Sequence, residues 1–278
     1  MTRKLTLLAL YFCVAWTFGA ACAHAGPVED RGALLDHYRK AFPWIGFENY
    51  VYGALAMNTD AKKQYDDIMA FPPFAIDLDE AAKQWKQPFR NGKRFSSCFP
   101  DGGHNVAGNY PYYDAAARRV VTFERAVNSC LEANGEPALE YGGTAMGLLT
   151  AYAKSLSDGM KVDVRVEGAG ALAAYQRGRQ YYYAPRGRQK YSCASCHVDN
   201  AGKFIRGDQV SMMVGQATHY PVFLGGTEVM TLHRRFQQCN RNIGAEPLQM
   251  GSREYDELEY FLTYMSNGLP MQTPVFRK

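Results

Sequence analysis

The motif Cys-x-x-Cys-His at residues 193–197 constrains this chain more than any other feature of its sequence. Cys193 and Cys196 have the spacing that forms thioether bonds to the two vinyl groups of one haem, and His197 follows directly to present its imidazole to the iron. A dithiol redox pair does not need the histidine, and a zinc site needs a second pair of ligands that the sequence does not offer. The motif therefore predicts one covalently bound haem c.

The first 25 residues have the pattern of an export signal. Arg3 and Lys4 precede a short apolar run, and residues 23–25 (Ala-His-Ala) form a small-x-small cleavage site. We predict cleavage after residue 25 and a mature protein in the periplasm with no membrane span; a membrane anchor and a lipoprotein linked through Cys22 are the alternatives. Loss of the signal lowers the formal net charge from +4 to +2, a balance that does not indicate nucleic-acid binding.

Two stretches of the chain repeat at a separation of about 110 residues, too long a period for a solenoid repeat and typical of a duplicated domain. We predict a mainly α-helical fold of two cytochrome c-like domains, residues 26–160 without haem and residues 161–278 with haem. The shared landmarks are Tyr110-Pro111, Cys130, Glu136-Pro137 and Asp158-Gly159 in the first stretch, and Tyr220-Pro221, Cys239, Glu246-Pro247 and Asn267-Gly268 in the second.

Three helices are predicted around the motif. An aromatic-rich helix covers residues 168–183 and ends before Pro185. Thr227 is the predicted N-cap of a second helix, whose apolar residues recur every three or four positions and place Cys239 on the inward face. Ser252 begins a third helix, which closes at Asn267-Gly268.

The duplication also accounts for an odd number of cysteines. The chain has seven, and removal of the export signal leaves five. If Cys239 is the second axial ligand of the haem, Cys130 is the relic of such a ligand in the first half, and Cys98 is the relic of an attachment cysteine. Both thiols then face the same space, which predicts a Cys98–Cys130 disulfide.

At this point the chain resembles the SoxA family, the larger subunits of the SoxAX cytochromes of periplasmic sulfur oxidation. The likeness covers essentially the whole mature chain, and residues 98–102 depart from the two-haem pattern, so the chain resembles the single-haem members. The segments that carry it are Cys193-Ala-Ser-Cys-His197, Leu232-His-Arg-Arg-Phe-Gln-Gln-Cys239-Asn-Arg241, Ala245-Glu246-Pro247, Gly251-Ser252-Arg253-Glu254-Tyr255 and Asn267-Gly268-Leu269-Pro270.

The resemblance implies that His197 and Cys239 are the axial ligands of the iron. It also implies that Cys239 is a catalytic residue in persulfide form and that Arg235 is the active-site arginine that binds substrate. The implied activity is that of an L-cysteine S-thiosulfotransferase, which couples thiosulfate oxidatively to a cysteine of the carrier protein SoxYZ. The electrons would pass to the haem of a SoxX-type cytochrome c subunit and then to a small cytochrome c.

The residues themselves agree with an anion site near Cys239. Arg235 lies one helical turn before Cys239, and a guanidinium holds a sulfonate-type group with paired hydrogen bonds. Arg234, Arg241 and His233 add positive charge to the same helix. A solvated basic helix face is the alternative interpretation of these basic residues, including Arg235.

Three other functions remain open from the sequence: a plain electron-transfer cytochrome c, a thiosulfate dehydrogenase that forms tetrathionate, and an assembly module without catalysis. The first requires a methionine or histidine as second ligand and leaves Cys239 unexplained. Candidates for that ligand, all downstream of the motif, are Met212, Met213, Met230, Met250, Met265, Met271, His219 and His233.

Overall fold

The computed structural model describes residues 26–278, so the predicted export signal lies outside the described residues. The described part is mainly helical, as predicted, and none of its helices is long and apolar enough to cross a membrane. The α-helices are α1 (Pro27–Ala41), α2 (Thr59–Ala70), α3 (Ala75–Lys86), α4 (Phe123–Ala133), α5 (Thr144–Ser155), α6 (Gly168–Tyr183), α7 (Cys193–His197), α8 (Leu232–Asn242) and α9 (Arg253–Met265). The strands are β1 (Tyr112–Asp114), β2 (Arg119–Val121), β3 (Phe204–Ile205), β4 (Asp208–Gln209), β5 (Val222–Leu224), β6 (Glu228–Met230) and β7 (Val275–Arg277).

The same unit, an antiparallel hairpin followed by a helix, occurs in each half. In the first half β1 pairs with β2 and α4 follows; in the second half β5 pairs with β6 and α8 follows. Both helices have 11 residues and a threonine N-cap: Thr122 accepts from the Arg125 N–H at 3.1 Å, and Thr231 accepts from the Arg234 N–H at 3.4 Å. This correspondence supports the duplication that the sequence indicates.

The predicted N-cap at Thr227 is wrong. Thr227 lies in the turn of the β5–β6 hairpin, and α8 begins only at Leu232. Residues 228–230 pair with β5 instead, with Val229 buried, because strand pairing and burial outweigh a helical spacing of apolar residues. Cys239 nevertheless lies within α8.

The other two helix predictions are confirmed. Helix α6 spans Gly168–Tyr183, the predicted range. Helix α9 begins after Ser252, whose hydroxyl accepts from the Tyr255 N–H at 3.4 Å. These two helices cross closely at Gly178, where a Cβ would lie 2.0 Å from the Glu257 carbonyl oxygen. The close crossing therefore requires glycine at this position.

The main hydrophobic core cluster includes residues of both halves. Helix α1 contacts the second half at the motif and at α6. The Tyr38 hydroxyl of α1 donates to the His197 carbonyl at 2.5 Å and accepts from the Met213 N–H at 3.0 Å. Asp30 forms an ion pair with Arg179 of α6 at 2.9 Å. Helix α1 thus covers the Cys-x-x-Cys-His region. The domain boundary at residue 160 stays a prediction.

Candidate haem site

The motif itself forms the short helix α7, fixed at its start by a reciprocal pair of serines. The Ser192 hydroxyl accepts from the Ser195 N–H, and the Ser195 hydroxyl accepts from the Ser192 N–H, both at 3.1 Å. Cys193 and Cys196 therefore lie one helical turn apart on one short, capped segment. This arrangement presents two thiols to one side, as attachment to a single porphyrin requires.

His197 has the hydrogen bonding of a metal-binding histidine. Its Nδ1 lies 2.9 Å from the Ser211 carbonyl oxygen, which can only accept, so Nδ1 carries the proton and Nε2 keeps a free lone pair. Burial lowers the pKa of His197, which favours the neutral ring that ligation needs. Tyr38 holds the backbone of the same residue.

Cys239 faces the same interior as the two motif cysteines. Burial raises the pKa of Cys239 to about 11; the charge of Arg235 opposes this shift, while Cys193 and Cys196 add to it. The three thiols are unbonded to each other, so each is available for another bond. Coordination to a metal ion deprotonates a thiol even where burial disfavours the thiolate.

These donors fit a haem c. Cys193 and Cys196 could form the thioethers, and the neutral imidazole of His197 and the partly buried thiol of Cys239 could bind the iron. Within residues 26–278 no group of three or more His, Cys, Asp or Glu side chains is arranged to bind a bare metal ion, whereas a porphyrin needs only two protein ligands.

Arg235 is half-buried, and both of its hydrogen-bond partners are uncharged. Its Nε donates to the Tyr220 hydroxyl at 3.2 Å and its Nη1 to the Gln238 Oε1 at 2.6 Å. Among the described residues no carboxylate lies within ion-pair distance of this half-buried guanidinium. Its charge limits the rise that burial causes in the pKa of Cys239 and adds to the lowering of the pKa of His197.

The three other basic residues of α8 are engaged elsewhere. Arg234 forms an ion pair with Glu228 at 2.9 Å, and His233 is buried 3.2 Å from a carboxylate oxygen of Glu259. Arg241 is exposed and donates to Gln237 at 3.1 Å. The positive charge near Cys239 therefore comes from Arg235 rather than from the helix face as a whole.

Comparison with known proteins places this arrangement in a family. The family model described as SoxA/TsdA, cytochrome c domain, matches residues 80–162 and 177–271. L-cysteine S-thiosulfotransferase subunit SoxA of Chlorobaculum tepidum is 42% identical over 250 residues, covering 90% of this chain and 87% of the relative. The corresponding SoxA of Allochromatium vinosum is 34% identical over 91% of each chain.

This chain belongs to the SoxA family. The crystal structure of SoxXA from P. pantotrophus superposes with a TM-score of 0.70 at 27% identity, covering 78% of this chain and 84% of that chain. The predicted cytochrome c fold is thereby confirmed, and the chain is a haem c-binding protein.

The half of this SoxA chain without a haem motif contains the predicted disulfide. Cys98 and Cys130 are bonded, and Cys130 occupies the place on α4 that Cys239 has on α8. The position on α4 that corresponds to Arg235 is Ala126. Aromatic rings pack beside the disulfide, including Trp85 stacked on Phe95 at 4.3 Å. This half therefore has neither the thiols nor the cation of the second half.

Sequence reasoning missed four residues that contact the candidate site residues: Tyr38, Ser211, Tyr220 and Gln238. Ser211 acts through its carbonyl group, which no side-chain pattern reveals. Tyr38 reaches His197 across 159 residues of sequence. Tyr220 was visible as a landmark of the duplication, and only its hydrogen bond to Arg235 shows its second role.

Proposed function

We propose that this chain couples thiosulfate oxidatively to a cysteine of a SoxYZ-type carrier protein, with Arg235 and Cys239 at the reacting site. The observation that carries the proposal is that Arg235 is a half-buried cation without a carboxylate partner in the described part of the chain, one turn from the partly buried thiol of Cys239, which faces the motif cysteines. The chain is accordingly an L-cysteine S-thiosulfotransferase subunit of the SoxA type.

One haem c would be held by thioethers from Cys193 and Cys196, and His197 Nε2 and the Cys239 sulfur would bind its iron. Bound there, the haem supplies a one-electron redox centre, of low potential because a thiolate favours the ferric state. Ser211 and Tyr38 keep the His197 ring and backbone in place for this role.

Arg235 would bind the sulfonate end of thiosulfate by charge-assisted hydrogen bonds. Tyr220 and Gln238 accept from Nε and Nη1 and so fix the plane of the guanidinium. The outer sulfur of the substrate is then directed towards Cys239, which we propose acts as a persulfide. Formation of the sulfur–sulfur bond between thiosulfate and the carrier thiol releases two electrons and one proton.

Two electrons exceed the capacity of one haem, so a second acceptor is required. The matched crystal structure is of SoxXA, and we propose that this chain likewise assembles with a SoxX-type cytochrome c subunit. A small cytochrome c would accept the electrons afterwards. The export pattern of residues 1–25 supports a periplasmic location.

The test is an electron paramagnetic resonance spectrum of the oxidised protein beside that of Cys239→Met, together with a coupling assay. We expect a low-spin ferric signal of the thiolate-ligated kind in the wild type, its loss in the variant, and a thiosulfate adduct on the carrier by mass spectrometry. A His/Met or bis-His spectrum that the substitution leaves unchanged would return the protein to plain electron transfer.

Omission of the carrier distinguishes the second candidate, a thiosulfate dehydrogenase, which would use the same anion-binding Arg235 one turn from Cys239. Tetrathionate formed at full rate without carrier would support that activity. A requirement for carrier would support the thiosulfotransferase.

A further inference from the structure

The loop between α6 and α7 carries a cation to the haem motif. Its two ends are joined because the Arg186 N–H donates to the Tyr191 carbonyl at 2.9 Å. Within the loop, the Arg188 N–H donates to the Gly244 carbonyl at 3.2 Å. The backbone around Arg186 is therefore fixed both at the neck of the loop and to the segment that follows α8.

The Arg186 guanidinium lies against the first cysteine of the motif. Its Nη1 donates to the Cys193 sulfur at 3.5 Å, and its Cζ lies 3.8 Å from the centre of the Tyr181 ring, so the cation is stacked on an aromatic face. The Tyr181 hydroxyl accepts from Asn240 of α8 at 3.1 Å. Contacts with the motif and, through Tyr181, with α8 thus set the position of this cation.

The charge of Arg186 is not neutralised. Among residues 26–278 no carboxylate lies within ion-pair distance of this half-buried guanidinium. Its Nη2 is buried and has no hydrogen-bond partner. Burial raises the pKa of the Cys193 thiol, and the charge of Arg186 opposes that rise. A partly buried cation without a counter-charge is costly unless a neighbouring group gains negative charge.

A haem attached at Cys193 gains such charge on reduction. A thioether joins the cysteine sulfur directly to the porphyrin edge, so a cation beside the sulfur also lies beside that edge. When ferric iron takes one electron, with no bond made or broken, the net charge of the haem falls by one unit, and a fixed cation nearby favours the product.

We propose that Arg186 tunes the haem, its fixed positive charge favouring the ferrous state and offsetting part of the low potential that a Cys239 thiolate would give. The role is electrostatic and belongs to the attachment edge of the haem, whereas Arg235 is assigned to the substrate. The inference therefore requires haem attachment at Cys193 and does not depend on which sulfur compound reacts.

The experiment is a spectroelectrochemical titration of the haem-loaded protein, with the ferrous fraction read from the haem absorption bands. It compares the wild type with Arg186→Gln, Arg186→Lys and the control Arg188→Gln, which removes an exposed charge from the same loop. We expect Arg186→Gln to lower the equilibrium constant for one-electron reduction roughly tenfold, a shift of about 59 mV to lower potential. Arg186→Lys should keep most of the wild-type value, and Arg188→Gln should stay within about twofold of it, because water and salt screen an exposed charge.

Two results would overturn the inference. They are an Arg186→Gln variant with the potential of Arg188→Gln, and an equal fall in Arg186→Gln and Arg186→Lys, which would assign the effect to packing on Tyr181 instead of charge. Arg186→Met, measured in the same way, takes the place of Arg186→Gln if that variant does not load haem. A potential that depends on the Arg186 charge in a protein that forms no carrier adduct would refute the proposed function and leave this inference standing.

Discussion

Arg234 and Arg235 are adjacent in sequence and have opposite chemical surroundings. Arg234 is neutralised by Glu228 at 2.9 Å, whereas Arg235 donates to the neutral oxygens of Tyr220 and Gln238. Because Tyr220 and Gln238 orient the guanidinium without cancelling its charge, Arg235 keeps its full attraction for an anion. Two consecutive residues of α8 thus have different roles: Arg234 forms a surface ion pair, and Arg235 is available to bind an anion.

Replacement of Arg235 by lysine tests the geometry of this group while keeping its charge. We expect Arg235→Lys to lower kcat/KM for thiosulfate coupling roughly 10- to 100-fold, because an ammonium cannot form the paired hydrogen bonds of a guanidinium. The matched variant Arg234→Lys should stay within about twofold of the wild type. Steady-state assays with carrier measure both, and equal losses in the two variants would remove the special role of Arg235.

At the scale of elements, the start of α8 decides where Arg235 and Cys239 lie. Thr231 accepts from the Arg234 N–H and is buried, whereas Thr227 lies in a hairpin turn. We expect Thr231→Ala to lower the free energy of unfolding by about 1 kcal/mol, and Thr227→Ala to change it by less than about 0.5 kcal/mol. Urea unfolding of both variants provides the measurement, and the reverse order of the two losses would place the cap at Thr227.

The success of sequence prediction differs between these elements for physical reasons. Helix α6 was predictable because its composition and the break at Pro185 are local signals. Thr227 misled because Val229 suits both a helix face and a buried strand, and only pairing with β5 decides between them. The Cys98–Cys130 disulfide was predictable from the duplication, whereas the contact of Tyr38 with His197 has no sequence signal.

At the scale of the whole molecule, buried ion pairs link the two halves. Asp256 of α9 is 1% exposed and accepts from Arg125 of α4 at 2.6 Å and from Arg119 of β2 at 3.3 Å. Glu124 of α4 pairs with Lys154 of α5 at 3.1 Å, and the Lys154 ammonium also donates to the Tyr220 carbonyl at 3.3 Å. The halves are therefore joined by charges as well as by a common core.

Asp256 should make stability depend on pH. Burial raises the pKa of Asp256 to about 6, although the charges of His233 and Arg125 oppose the shift. Between about pH 4 and pH 6 the native state retains a proton that the unfolded chain has released, so the free energy of unfolding falls as pH rises, by up to about 3 kcal/mol. Subtracting the pH profile of Asp256→Asn from that of the wild type should reveal this decline, and parallel profiles would contradict it.

The disulfide stabilises the half without a haem motif. Cys98 and Cys130 are separated by 32 residues. In the chain-entropy model, removal of a disulfide that closes a loop of that size lowers the free energy of unfolding by about 3.7 kcal/mol. We expect the double variant Cys98→Ala/Cys130→Ala to lose about this much free energy of unfolding while it retains one haem per chain, because Cys193 and Cys196 are untouched. Urea unfolding and a pyridine haemochrome assay measure the two quantities. Loss of haem in the variant would mean that the first half also binds the cofactor.

The docking of α1 on the Cys-x-x-Cys-His region has a consequence for biogenesis. A ribosome makes α1 early, yet the partner of Tyr38 is His197, 159 residues later. Until that stretch has been synthesised, the face of α1 that carries Tyr38 lacks the motif region that it covers in the finished fold. Tyr38 is fully buried in that fold, and apolar surface left uncovered promotes aggregation. A truncated product that stops short of the haem motif should therefore aggregate more readily than the full chain.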